Sequence, residues 1–117
     1  MEDISPLEQA VLNAIALQVP ELADALTRQG TIGVTARTNT GAGFYTTFDA
    51  SHHSPIKGVA SPLGRVGTTV AGLEHGMGFL LWLRDGRIDE LEGFSYGENT
   101  SAIDFARVAF GPIERDA

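Results

Sequence analysis

One pentapeptide has the sequence of a catalytic motif. Residues 93–97, Gly-Phe-Ser-Tyr-Gly, match G-x-S-x-G, the nucleophile elbow in which a serine at a strand-to-helix turn attacks an acyl group. In enzymes with this nucleophile elbow the base histidine follows the serine in the sequence, whereas all 3 histidines of this chain precede Ser95. The flanking pattern predicts a hairpin that ends here without a following helix. We therefore assign no catalytic residue and interpret these glycines as allowing a strand to bend.

The histidines and one glutamate are candidates for a metal site or a polar pocket. His52 and His53 are neighbours, and neighbouring side chains of an extended chain point in opposite directions. Glu74 and His75 are also adjacent, without the i, i+4 spacing of zinc-binding helices. We predict no metal and no cofactor. A small enzyme or ligand-binding protein stays open as the alternative, its pocket lying between the sheet and residues 51–64 and lined by His52, His53, Glu74, His75 and Glu92.

Three glycine clusters resemble parts of phosphate-binding loops. They lie at residues 41–43, 64–67 and 76–78. None completes G-x-G-x-x-G or ends in Gly-Lys-Ser/Thr, and each leads into a strand pattern instead of a helix. We expect these glycines to serve turns and bulges.

Acidic residues are concentrated in and after the predicted hairpin at residues 85–98. Between Asp85 and Asp104 there are six acids and one base, Arg87. Such a strand face can be simply solvated, or it can be a recognition surface that attracts a basic protein. The leading hypothesis is a non-catalytic binding or protein-interaction module, with Asp89, Glu90, Glu92 and Glu98 as its binding residues.

Glu92 is expected to tilt towards the interior. Ile88 and Leu91 are three residues apart, which breaks the alternation of a strand, and a bulge near Glu90 or Leu91 would restore the register. A buried carboxylate needs a partner, because an unpaired buried charge is strongly unfavourable. The candidate partners are Arg65 and Arg84.

The net charge and composition exclude several classes of function. The formal charge is −7, from 8 basic and 15 acidic residues, which disfavours nucleic acid and anionic membrane surfaces as partners. The chain has no cysteine, and its acidic start does not resemble a secretory signal. The longest apolar run, residues 79–83, is far shorter than the ~20 residues that span a bilayer. We therefore expect a cytoplasmic protein.

Residues 1–30 are expected to be helical. Ser5-Pro6-Leu7-Glu8 has the sequence of a capping box, with proline at the first helical position. Apolar residues, Leu17 among them, follow at helical spacing. Val19-Pro20 should interrupt the helix, Pro20 should restart it, and Gly30 should end it in the left-handed conformation.

After residue 30 the apolar pattern changes to a period of two. Ile32, Val34 and Ala36 share one predicted strand face, and Asp85-Gly86 is a strong hairpin signal between residues 77–84 and 87–94. Further strands are expected at 44–49 and 65–71, with a short one at 56–60. The sequence thus predicts one domain over residues 1–117, helical at 1–30 and mainly β at 31–117. Its fold class is α+β, an N-terminal helical pair packed on an antiparallel sheet of about five or six strands.

The strand at residues 77–84 is apolar on both faces. Phe79 and Leu81 lie on one face, and Leu80 and Trp82 lie on the other. Such a strand is expected to be covered on both sides. The helices can cover one side, and we expect the C-terminal segment at 103–110 and a second subunit to share the other, which predicts a homodimer.

The hairpin region resembles a family of small uncharacterised bacterial proteins. The shared features are a Gly-Phe-Leu-Leu strand at residues 78–81, the Asp85-Gly86 turn and a Leu-Glu-Gly-aromatic strand at 91–94, with a looser match at 41–45. Those proteins commonly have Trp-Pro after the last strand, where this chain has Asn99-Thr100-Ser101. The resemblance implies a compact bacterial protein and no particular activity.

Overall fold

Two helices pack against one face of an antiparallel sheet in the computed structural model, which describes residues 3–28 and 32–115. The helices are α1 (Pro6–Ala16) and α2 (Pro20–Arg28), and the strands are β1 (Gly33–Asn39), β2 (Gly43–Asp49), β3 (Leu63–Thr68), β4 (Met77–Arg84), β5 (Arg87–Ser95) and β6 (Glu114–Arg115). The strand order among these residues is β1-β2-β5-β4-β3-β6. The predicted α+β fold with an N-terminal helical pair is confirmed.

Helix α1 begins at the predicted capping box. Ser5 Oγ accepts the backbone N–H of Glu8 at 3.2 Å, and the Glu8 carboxylate accepts the Ser5 N–H at 2.7 Å. The helix ends at Ala16, so Leu17 is 88% exposed and the prediction that it widens the apolar face is wrong. Pro20 begins α2 as predicted. The cap predicted at Gly30 lies outside the described residues.

The β4–β5 hairpin turns at Asp85-Gly86, as predicted. Both residues have positive φ, 53° and 78°, the conformation that a tight hairpin turn requires. The strand expected at 65–71 instead spans Leu63–Thr68. Residues 56–60 form no strand, because the Ile56 N–H bonds to the Gly86 carbonyl at 2.7 Å and no neighbouring strand continues the pairing.

Two bulges change which side chains face the helices. In β1, Val34 is opposite Phe48 and Ala36 is opposite Thr47, so Thr35 is the extra residue. Ala36 is consequently exposed, and the prediction that it shares a face with Val34 is wrong. In β5 the extra residue is Asp89, one position before the predicted bulge.

The C-terminal segment packs on the same face of the sheet as the helices. The ring of Phe105 lies 4.6 Å from that of Phe44, a core residue, and Val108 and Phe110 also pack against the core. The expectation that this segment covers the second face of β4 is therefore wrong. The sheet keeps one face that neither the helices nor residues 103–110 cover.

Candidate functional site

The uncovered face of the sheet gathers aromatic and acidic side chains from three neighbouring strands. Directly opposite residues of antiparallel strands point to the same face. Glu92 on β5 lies between Tyr45 on β2 and Leu80 on β4. In the adjoining row Glu90 lies between Thr47 and Trp82. We call these six residues the outer face: Tyr45, Thr47, Leu80, Trp82, Glu90 and Glu92.

Trp82 is the large exposed side chain of the outer face. It is 39% exposed, and its indole Nε1–H donates to Glu92 Oε1 at 3.0 Å. This diagonal hydrogen bond holds the ring beside both carboxylates. An exposed, oriented indole offers a broad apolar surface and a π face that attracts cations.

The two carboxylates of the outer face have no cationic partner among the described residues. Glu90 accepts the Thr47 hydroxyl at 3.4 Å, and Glu92 accepts the Trp82 indole. Arg84, at the end of β4, lies 3.7 Å from the carboxylate of Asp89 instead. The charge of Glu92 raises the pKa of Tyr45, with further contributions from burial, hydrogen bonding to Glu92 and the charge of Glu90. The outer face therefore carries a local negative potential.

The structure corrects the prediction that Glu92 tilts inward. Because the bulge at Asp89 adds one residue, Ile88 and Leu91 both reach the core while Glu90 and Glu92 point outward. Glu92 is paired with an indole, and neither of the arginines proposed as its partners, Arg65 and Arg84, contacts it.

The other two predicted binding residues, Asp89 and Glu98, are not members of the paired rows that form the outer face. Asp89 is the bulged residue. Glu98 lies beyond the end of β5, where its carboxylate accepts the backbone N–H groups of Glu74 at 2.8 Å and His75 at 3.0 Å. These two hydrogen bonds lower the pKa of Glu98. Its described contacts stabilise the turn before β4.

Four of the five residues predicted to line the alternative pocket are divided between the two ends of β4, and the fifth, Glu92, lies on the outer face. The rings of His52 and His53 are 4.4 Å apart, and the His53 carbonyl accepts Arg87 Nε–H just after the β4–β5 turn. Glu74 and His75 precede the first residue of β4. One cavity is lined by His53 and a separate one by His75. Within the described residues, no three histidines or carboxylates cluster as metal ligands.

Ser95 of the G-x-S-x-G sequence lies at the end of β5. Its hydroxyl is within hydrogen-bonding distance of the carbonyls of Glu98 at 2.7 Å and Ala42 at 3.1 Å. These contacts connect the end of β5 to the turn before β2. They give the serine a structural role.

A buried carboxylate that the sequence identifies only as a cap lies on the helix-bearing face. Glu8 is 3% exposed and accepts Arg37 Nε at 2.9 Å, Arg37 Nη2 at 2.8 Å and the Thr46 hydroxyl at 2.5 Å. Burial alone would raise the pKa of Glu8, but the bonds from Arg37, Ser5 and Thr46, with the Arg37 charge, outweigh it and lower the pKa. This cluster ties α1 to β1 and β2.

Tyr45 and Trp82 are the aromatic residues of the outer face, and the predicted binding set omits both. A signal for them exists in the sequence, since Trp82 alternates with the core residue Leu81, and Tyr45 with Phe44. The predicted β4–β5 hairpin already makes the strand of Trp82 a neighbour of the strand of Glu92. That Tyr45 also lies beside Glu92 follows only from the sheet order, in which β2 is the other neighbour of β5.

No protein-family model, curated protein or solved structure matches this chain. Among the residues described, neither helix is long and apolar enough to cross a membrane. The function is therefore argued from the site itself.

Proposed function

We propose that the protein is a non-catalytic interaction module that binds a basic protein through its outer face. The observation that supports this proposal is the exposed indole of Trp82, held beside two carboxylates that have no cationic partner in the described part of the chain. Tryptophan is enriched among the residues that dominate binding energy at protein interfaces.

A lysine or arginine side chain fits the chemistry of this surface. Glu90 and Glu92 are two residues apart on one strand, so their Cβ atoms are roughly 7 Å apart. A cation between them can contact a carboxylate and the indole of Trp82 together. The negative potential also steers a basic partner towards the face during encounter.

A second copy of the chain fits this surface less well. A two-fold symmetric interface places the same patch on both subunits, and Glu90 and Glu92 would then approach their own copies. Like charges across an interface oppose binding. The predicted homodimer stays a prediction, and light scattering after size-exclusion chromatography tests it against the 12.4 kDa of a monomer.

The test measures binding of an arginine-rich peptide to the full chain by calorimetry at two salt concentrations. We expect Glu90→Gln with Glu92→Gln to weaken binding at least tenfold, and Trp82→Leu to weaken it severalfold. The control, Glu74→Gln with Asp85→Asn, changes the net charge by the same amount at exposed positions elsewhere. We expect the control to stay within twofold of the wild type.

Equal effects of the two double substitutions would show that the peptide responds only to net charge, and the proposal would fail. If the peptide binds the wild-type chain and the Trp82→Leu variant equally well, the indole of Trp82 does not contribute to binding, and that part of the proposal is wrong. A protein captured from lysate supports the proposal only when its binding shows the same dependence on Glu90 and Glu92.

A further inference from the structure

His53 is a buried histidine with an unsatisfied ring nitrogen. The residue is 4% exposed, and its Nε2 has no hydrogen-bond partner among the described residues. Buried polar atoms are nearly always paired, because an unpaired one loses its hydration without gaining a hydrogen bond. His53 Nε2 is therefore an exception within the packed part of the fold.

The surroundings of His53 are mainly apolar. It lines a small cavity with Leu22, Ala25 and Leu26 of α2, and with Ile56 and Ile88. Those α2 side chains carry no charge. A second proton on the imidazole would place a charge in this apolar environment.

The charged groups that face His53 from the other elements mostly oppose protonation. Burial is the main cause that lowers the pKa of His53, followed by the charges of His52 and of Arg87 from the hairpin. Asp49 acts in the opposite direction but already accepts hydrogen bonds from Ser51. The closed structure therefore holds His53 neutral.

We propose that residues 50–56, the histidine loop, form an acid-operated latch in which protonation of His53 releases the loop from α2 and from the β4–β5 turn. Two hydrogen bonds join the histidine loop to the β4–β5 turn. Arg87 Nε–H donates to the His53 carbonyl at 2.6 Å, and the Ile56 N–H donates to the Gly86 carbonyl at 2.7 Å. This inference does not depend on the proposed function.

The direction of the effect follows from proton linkage. The open loop exposes the imidazole, whose pKa then approaches about 6.5, above that in the closed state. The open state thus binds more protons than the closed state. The closed state therefore loses stability relative to the open state as the pH falls below about 6.5, the pKa of the exposed imidazole. Between pH 7.5 and 5.5 the opening equilibrium should rise by up to about tenfold, the limit reached when only the open state binds the proton at pH 5.5.

The experiment is amide hydrogen exchange by NMR on the full chain at pH 7.5 and 5.5, corrected for intrinsic exchange rates. We expect the amides of His53 and Ile56 to lose protection at the lower pH, by up to about tenfold, while the amide of Leu91, at the centre of the sheet, keeps its protection. His53→Leu, which cannot titrate, should remove this dependence. His52→Gln, at an exposed neighbouring position, should retain it.

Protection of Ile56 that is equal at both pH values in the wild type would overturn the proposal, as would a full pH dependence in His53→Leu. If that variant does not fold, the titration of the His53 ring in the wild type decides. A midpoint below about 6.5, accompanied by loss of Ile56 protection, supports the latch, and a midpoint at or above that value refutes it.

Discussion

Replacing Glu8 with glutamine tests the reasoning about the buried carboxylate most directly. Glutamine has nearly the same shape and can still accept the Ser5 N–H of the capping box. It loses the negative charge that Arg37 and the Thr46 hydroxyl contact. Its amide group also turns donors towards the donors of Arg37.

The magnitude follows from how far each partner is removed from water. Glu8 is 3% exposed and the Arg37 side chain is 25% exposed, so solvent screens the pair only in part. Breaking a buried ion pair by removing one partner costs about 3–5 kcal/mol. Because the glutamine keeps the cap, we expect the free energy of unfolding to fall by about 3 kcal/mol. For a domain of this size, that lowers the Tm by roughly 10 °C.

The assay is urea unfolding of Glu8→Gln beside the wild type, followed by far-UV circular dichroism at pH 7. Arg107→Gln is the control, because Arg107 forms an exposed pair with Asp104 at 3.9 Å, and its stability should match the wild type. An effect of Glu8→Gln no larger than that of the control would refute the reasoning.

The same substitution has a defined pH dependence. The pKa of Glu8 is lowered from 4.5 in the folded protein, so its ionised form stabilises the fold above that pH. This contribution is lost as the pH falls through the folded-state pKa. The stability difference between the wild type and Glu8→Gln should therefore narrow below pH 4.5.

Two further substitutions test contacts within the sheet. Thr46→Val keeps the shape of a fully buried side chain but removes its hydrogen bond to Glu8. Urea unfolding should show that the free energy of unfolding falls by about 1.5–3 kcal/mol. Thr46→Ser keeps the hydroxyl and should recover most of this loss. Gly93→Ala places a methyl group where it collides with the Phe44 ring, and the forced shift should lower the free energy of unfolding by about 1–3 kcal/mol. Gly97→Ala, which meets no atom within 4 Å but has φ +85°, should show only the smaller cost of backbone strain in the same assay.

The parts of the fold that local signals specify could be predicted from the sequence. The capping box, the restart at Pro20 and the Asp85-Gly86 turn depend on residues within a few positions of one another. The bulge at Thr35 has no such local signal. It turns Arg37 towards Glu8, a residue 29 positions earlier, so its reason lies in tertiary packing.

The candidate site was only partly predictable for a related reason. The acidic pattern draws attention to Glu90 and Glu92, whose binding role stays a prediction. The expectation that Glu92 tilts inward comes from explaining the broken alternation by a tilt of one side chain. The bulge at Asp89 resolves the break by shifting the register, which keeps both carboxylates outside. Their proximity to Tyr45 depends on pairing between β2 and β5, in which Tyr45 is opposite Glu92, 47 positions later in the sequence.

The carboxylates of this chain separate into those that the fold uses and those that it does not. Glu8 and Glu98 accept backbone N–H groups, and Asp49 accepts both the N–H and the hydroxyl of Ser51. The described contacts of Glu90 and Glu92 are with side chains instead, Thr47 for Glu90 and both Trp82 and Tyr45 for Glu92, and the two carboxylates lie close enough to repel one another.

A functional role and a structural role of Glu90 and Glu92 predict different effects on stability. If Glu90 and Glu92 serve binding, neutralising both should leave the Tm unchanged or slightly higher, because a repulsion is removed, while affinity for a basic partner falls. If they serve the fold, the same double substitution should lower the Tm as Glu8→Gln does. Measuring Tm and affinity on the same samples distinguishes the two, and a lower Tm would contradict the proposed function even if binding were also lost.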